Sequence, residues 1–186
     1  MKLLNDTDIR IASFKDALSI AEVHVQSWKE TYTGMIKQEI LNKLNVLDKQ
    51  QLWKEISRSP DHKLFIYTEN GVVKGFLDGY LNPENNIAEI RAFYLLGEIQ
   101  RKGVGRALFQ KFYQCALNQG YAFIRLEVFN KNPSRFFYEK MGAKLTGDAE
   151  LPEFGLGIIE LGAVVDKVKY PSNPTVFRAV VLDSHS

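Results

Sequence analysis

The chain of 186 residues lacks most of the features that settle a function at once. It has a single cysteine, Cys115. That excludes an internal disulfide and a cysteine-based metal site, and it fits a reducing cytoplasm, where the protein is expected to reside. The three histidines, His24, His62 and His185, are scattered, and no metal is expected. No apolar run approaches the roughly 18 residues of a membrane-spanning helix. The N-terminal string MKLLNDTDIR has no signal-peptide core. Charge of one sign is also missing: 24 Lys and Arg against 22 Asp and Glu leave a formal net charge of +2. Neither nucleic acid nor a membrane surface is therefore an expected partner. The P-loop string Gly-x-x-x-x-Gly-Lys-Ser/Thr does not occur. What remains is a soluble balance of 45% hydrophobic and 25% charged residues, enough for one domain with at most a small appendage.

The stretch IAEIRAFYLLGEIQRKGVGRA, residues 87–107, is the informative part. A strand-like run leads into a polar turn with Gly103 and Gly105, and a helical pattern follows at once. Such a turn aims backbone N–H groups and the positive end of a helix at one spot, which suits a phosphate or pyrophosphate. Glycine lets a ligand approach the backbone closely. A dinucleotide-binding Gly-x-Gly-x-x-Gly needs a third glycine where Leu108 stands, although Glu127 lies near the distance of a ribose-binding acid. An ordinary strand–helix turn is the plain alternative.

Taken in order, residues 8–14 read as a strand. Ala17, Ile20, Ala21, Val25 and Trp28 recur at helical spacing up to Gly34. Residues 36–58 form a second helical region, broken near 45–48 and stopped by Pro60. Residues 63–69 and 72–81 read as strands of a hairpin turning at Asn70-Gly71. Residues 87–96 form a strand and 104–118 a helix, followed by a strand at 122–129. A short helix then runs to Met141, with Asn132 at its N-cap. Residues 143–147 and 156–161 read as strands, and Gly162 is expected to turn the chain into a last strand at 163–170. The order predicts an α/β fold, a mixed, mostly antiparallel sheet of about seven strands flanked by about four helices. One domain over 1–170 and a tail at 171–186 are expected.

Three motifs carry a family resemblance. Gln100-Arg101-Lys102-Gly103-Val104-Gly105-Arg106-Ala107 resembles the Q/R-x-x-G-x-G/A pyrophosphate loop of the GNAT acyltransferases. The segment 132–142, NPSRFFYEKMG, resembles the N-P-S-R-x-F-Y-E-x-x-G segment of many GNAT proteins. The string 27–34, SWKETYTG, is similar to the S-W-x-x-T-Y-x-G string of a subgroup that includes polyamine acetyltransferases of the PaiA type.

The resemblance implies acetyl-CoA as co-substrate and a small primary amine, a polyamine among the favoured options, as acceptor. It implies that Tyr94 and Leu95 bind the pantetheine arm and that Arg101, Lys102, Gly103, Val104, Gly105, Arg106 and Ala107 hold the pyrophosphate. Asn132, Ser134 and Arg135 are implied at the cofactor as well. Tyr138 matches the tyrosine that protonates the departing thiolate. Glu89 matches, by its spacing from Gly103, a glutamate base used in the superfamily, with an ion pair to Arg91 as the alternative. Alternation puts Glu89, Arg91, Phe93 and Leu95 on one strand face. Trp28 and Tyr32 share a helix face and suit an aromatic wall around an amine. Asp78 is a further acid for an amine pocket. A non-catalytic acyl-CoA-binding regulatory module and a protein N-terminal acetyltransferase are the competing functions. A monomer or homodimer is expected.

Overall fold

Asn70 and Gly71 both take positive φ, 52° and 79°, as a tight two-residue hairpin requires. They join β2 (His62–Glu69) to β3 (Val72–Asn82). The computed structural model describes residues 8–151 and 156–164; most of the expected last strand, and the tail, lie outside them. The other elements are β1 (Ile9–Ile11), α1 (Ala17–Tyr32), α2 (Gln38–Asn42), α3 (Val46–Ile56), β4 (Ile87–Leu95), α4 (Val104–Asn118), β5 (Phe123–Phe129), α5 (Arg135–Lys140), β6 (Lys144–Leu151) and β7 (Leu156–Val164). The strands hydrogen-bond in the order β1-β2-β3-β4-β5-β7-β6. Among the described residues only β4 and β5 run parallel, and α4 connects them. The result is the expected mixed α/β sheet.

The described residues form five α-helices where about four were expected. The break expected near residue 45 separates two helices, because Asn45 is extended and its side chain accepts the Leu47 N–H at 2.8 Å. That bond starts α3 afresh. Gly162 does not turn the chain. It sits inside β7, opposite both Arg125 and Lys144, and ladders on two sides keep it extended.

Helices α1 and α3 cover one sheet face, where Phe76 packs against Trp53 and His24. Helix α4 covers the other. There Gly79 leaves room for Phe112, whose ring would lie 2.0 Å from any Cβ. His24 is buried and its Nδ1 accepts the Trp53 indole N–H at 3.2 Å. Burial, with the Lys49 charge adding to it, lowers the His24 pKa to about 3, so the imidazole is neutral.

Two departures from regular pairing position the site. Asp78 pairs with Ala92 but Gly79 pairs with Ile90, so Arg91 is an extra residue in β4. This bulge reverses the side-chain alternation. Glu89 therefore shares a face with Tyr80, while Phe93 lies with Leu77 on the opposite face, and the expected common face of Glu89, Arg91, Phe93 and Leu95 is corrected. Just there the parallel ladder stops: β4 pairs with β5 from Ile87 to Ile90, and beyond Ile90↔Leu126 the two strands part.

Candidate active site

A cavity of about 580 Å³ fills the parting, lined by the distal halves of β4 and β5, by α1, by the turn before α4 and by α5. At its phosphate-binding end, Gly103 is the N-cap of α4 in the left-handed conformation, φ 85°, and no side chain caps the helix. The first amides of α4 thus have no side-chain acceptor. Arg101 also has positive φ, 60°. Gln100 fastens the turn to β4 by donating to the Leu95 carbonyl at 3.0 Å. Arg101, Gly103, Gly105 and Arg106 line the cavity. A Cβ on Gly105 would lie 3.3 Å from Leu95 Cδ1 and 3.6 Å from Phe137. Lys102, Val104 and Ala107 do not line it; Val104 is buried in the core.

Asn132 and Ser134 line the cavity and Arg135 does not. Arg135 pairs with Glu139 at 3.3 Å and lies over the Phe136 ring at 5.2 Å. Asn132 is not the cap itself. Ser134 occupies the N-cap of α5, and Asn132 Oδ1 accepts the Ser134 N–H at 2.9 Å in a turn just before it. This is the same capping chemistry used two residues early. The second amide hydrogen bond runs from Asn132 Nδ2 to the Tyr32 hydroxyl at 3.2 Å.

Aromatic rings form much of the remaining wall. Trp28 meets Tyr32 edge-on at 5.0 Å, and Tyr32 meets Phe129 at 5.3 Å. Tyr94 stacks on His24 at 5.0 Å. Tyr138 is buried against Phe137 and Phe93, and its hydroxyl has no hydrogen-bond partner among the described residues. Burial raises the pKa of Tyr138, Tyr94 and Tyr32, that of Tyr32 to about 12.

Two expected acids lie elsewhere. Glu89 is 3% exposed, with Arg125 Nη2 at 2.6 Å and Arg91 Nη2 at 2.7 Å, and it does not line the cavity. Asp78 is 1% exposed and pairs with His62 Nδ1 at 2.9 Å, also outside the cavity wall. The carboxylate that does line it is Glu127 on β5. The sequence holds a signal for it only once the parting of the strands is known, because Glu127 stands one residue past the last β4–β5 pair. Among the described residues no group of three or more His, Cys, Asp or Glu side chains is placed to hold a metal ion.

A sheet that opens between two parallel strands, with a helix start free of side-chain caps at one end of the opening and a buried phenol inside it, suits a phosphate-bearing ligand with a proton donor beside it. Residues 25–143 match the model of the Acetyltransferase (GNAT) family, and the chain belongs to that family. It is similar to the uncharacterized N-acetyltransferase YuaI of Bacillus subtilis, 35% identical over 166 residues, covering 84% of this chain and 95% of that protein. It is also similar to the spermidine N(1)-acetyltransferase of Thermoplasma acidophilum, 29% identical over 144 residues, covering 74% of this chain and 88% of that protein. The crystal structure of the PaiA N-acetyltransferase from Thermoplasma acidophilum in complex with coenzyme A superimposes with a TM-score of 0.70 at 28% identity, covering 82% of this chain and 96% of that one. The protein is an acetyl-CoA-dependent N-acetyltransferase. Among the described residues no helix is long and apolar enough to cross a membrane.

Proposed function

We propose that the protein transfers the acetyl group of acetyl-CoA to the primary amine of a small molecule, polyamines among the favoured acceptors, by direct attack in a ternary complex. The observation that carries this reading is one cavity that brings together the α4 turn, Tyr138 and Glu127. The turn amides, with Arg101 and Arg106, hold the pyrophosphate. Ser134 lies on the same wall. Tyr94 and Leu95, on the half of β4 that has parted from β5, flank the acyl arm. Tyr138 protonates the leaving thiolate; burial, which raises its pKa, keeps the phenol protonated until the thiolate forms.

The acceptor amine enters beside Trp28 and Tyr32, whose rings suit an alkyl chain or a cation. It must lose a proton, because an alkylammonium has a pKa of roughly 10.4. Glu127 takes that proton, directly or through water. Glu89 is the weaker choice, since it does not line the cavity and Glu127 does. Its role in this reading is to hold Arg91 and Arg125 and so the base of the parting. Similarity to a spermidine acetyltransferase supports a polyamine acceptor.

The test is a panel of di- and polyamines, amino acids and N-terminal peptides with acetyl-CoA, following thiol release. Glu127→Gln is expected to lower kcat/KM for the best amine at neutral pH. The deficit should shrink as pH rises toward the amine's own pKa, where neutral amine supplies itself. A deficit of equal size at every pH would mean that Glu127 orients the amine and does not accept its proton. Turnover only on N-terminal peptides would overturn the small-amine reading.

A further inference from the structure

We propose that Tyr32 is a second proton donor to the leaving thiolate, working beside Tyr138. The proposal rests on the acetyl-transfer reading above and adds a residue that the reading treated only as an aromatic wall. It starts from Asn132, which is buried between α1 and α5. Asn132 Oδ1 must face Ser134, because it accepts that backbone N–H at 2.9 Å. The amide orientation is thereby assigned by its network. Nδ2 then faces Tyr32 and donates to the hydroxyl oxygen at 3.2 Å. A phenol oxygen that accepts a hydrogen bond sends its own proton in another direction. Among the described residues nothing accepts that proton, and Tyr32 lines the cavity.

The ring cannot readily turn away, since it is wedged edge-on between Trp28 and Phe129. The hydroxyl therefore presents its O–H to the cavity while the Asn132 N–H waits on the other side of the oxygen. That is the arrangement of a donor whose conjugate base is already stabilised. Burial raises the Tyr32 pKa, but the Asn132 hydrogen bond opposes the rise. Burial likewise raises the pKa of Tyr138 and Tyr94, in the same wall, and neither has a bond from Asn132 to oppose it. Tyr32 and Tyr138 line the same cavity from two elements, α1 and α5.

The step balances as follows. The amine nitrogen bonds to the thioester carbonyl carbon, and the carbon–sulfur bond breaks with its electron pair on sulfur. Sulfur takes a single proton, from Tyr138 or, on this second route, from Tyr32. The resulting phenolate, held by Asn132, is reprotonated by the proton shed from the new amide nitrogen, carried through water.

The experiment compares kcat and KM for acetyl-CoA and the best amine in wild type, Tyr32→Phe, Asn132→Asp, Tyr138→Phe and the combinations, under conditions where chemistry limits the rate. Tyr32→Phe keeps the ring packing and removes only the hydroxyl. It is expected to lower kcat about tenfold with KM unchanged, and the Tyr32→Phe/Tyr138→Phe pair to fall below Tyr138→Phe, which alone loses about 10²- to 10⁴-fold. Asn132→Asp keeps the oxygen that accepts from Ser134 but turns the other atom into an acceptor. The Tyr32 proton would then point to the carboxylate and leave the cavity. Its kcat should fall as in Tyr32→Phe, and the Tyr32→Phe/Asn132→Asp pair should fall no further. Tyr32→Phe with wild-type kcat beside an active wild type would overturn the proposal and leave acetyl transfer standing. So would full additivity of Tyr32→Phe and Asn132→Asp. A wild type that turns over no amine would remove the acetyl-transfer reading, and the proposal with it.

Discussion

Tyr138 is held by rings and not by hydrogen bonds. Phe137 lies 5.2 Å away, Phe93 6.3 Å, and the hydroxyl is left to the cavity. Removing the oxygen therefore disturbs little packing, and the effect of Tyr138→Phe isolates proton transfer. The expected outcome is a loss of about 10²- to 10⁴-fold in kcat, with CoA affinity by calorimetry unchanged. An unchanged kcat when chemistry limits the rate would assign Tyr138 to packing. The residue was legible in the sequence because the NPSRFFYEKMG segment is contiguous. For Glu89 the ion pair with Arg91 was legible and the one with Arg125, 36 positions away, was not, because no local pattern announces a partner on another strand. Glu127 was read only as a possible ribose acid for the same reason: its place depends on where two strands separate.

At the scale of the element, the turn from β4 into α4 was the most legible part. Strand, glycines and helix are all local signals, and the left-handed Gly103 is where a glycine is needed. Gly105 has a second duty that spacing alone did not reveal. Its α-carbon faces Leu95 and Phe137, so it is also a packing contact between α4, β4 and α5. Gly105→Val is expected to abolish most CoA binding by calorimetry and also to destabilise the fold by about 1–3 kcal/mol through overpacking, read as a lower urea midpoint. A variant that binds CoA like wild type would mean that the pyrophosphate does not approach this position. The division of α2 from α3 was foreshadowed by the break expected near residues 45–48. The Arg91 bulge was not legible, because a register slip is decided by pairing with β3 and leaves no mark on the strand's own composition.

For the whole molecule, His24 sets an acid limit on stability. Its folded pKa is about 3 against an ordinary 6.5, so below pH 6.5 the unfolded chain takes up a proton that the native core refuses. Stability from this group is full above pH 6.5 and falls by up to about 1.4 kcal/mol per pH unit as pH drops toward the folded value. Asp16, lowered from 3.8 to about 2 chiefly by its hydrogen bond with Arg10, contributes stability that is full above pH 3.8 and is lost only as pH falls from there toward about 2. Urea unfolding at pH 7 and pH 5 should show the loss, and His24→Gln, which retains an acceptor for Trp53, should flatten it. An equal drop in both proteins would place the acid sensitivity elsewhere. The extra residue in β4 has a different kind of consequence. An enzyme must preserve a hollow that its own apolar side chains would tend to close. Here the hollow is kept by counting: one surplus residue puts β4 out of step, and the strands cannot rejoin past Ile90 without breaking rows already made. The existence of the pocket is thus stored in chain length and its preferences in side chains, so lineages are free to rewrite Trp28, Tyr32 or Glu127 for new amines without first having to reinvent the space.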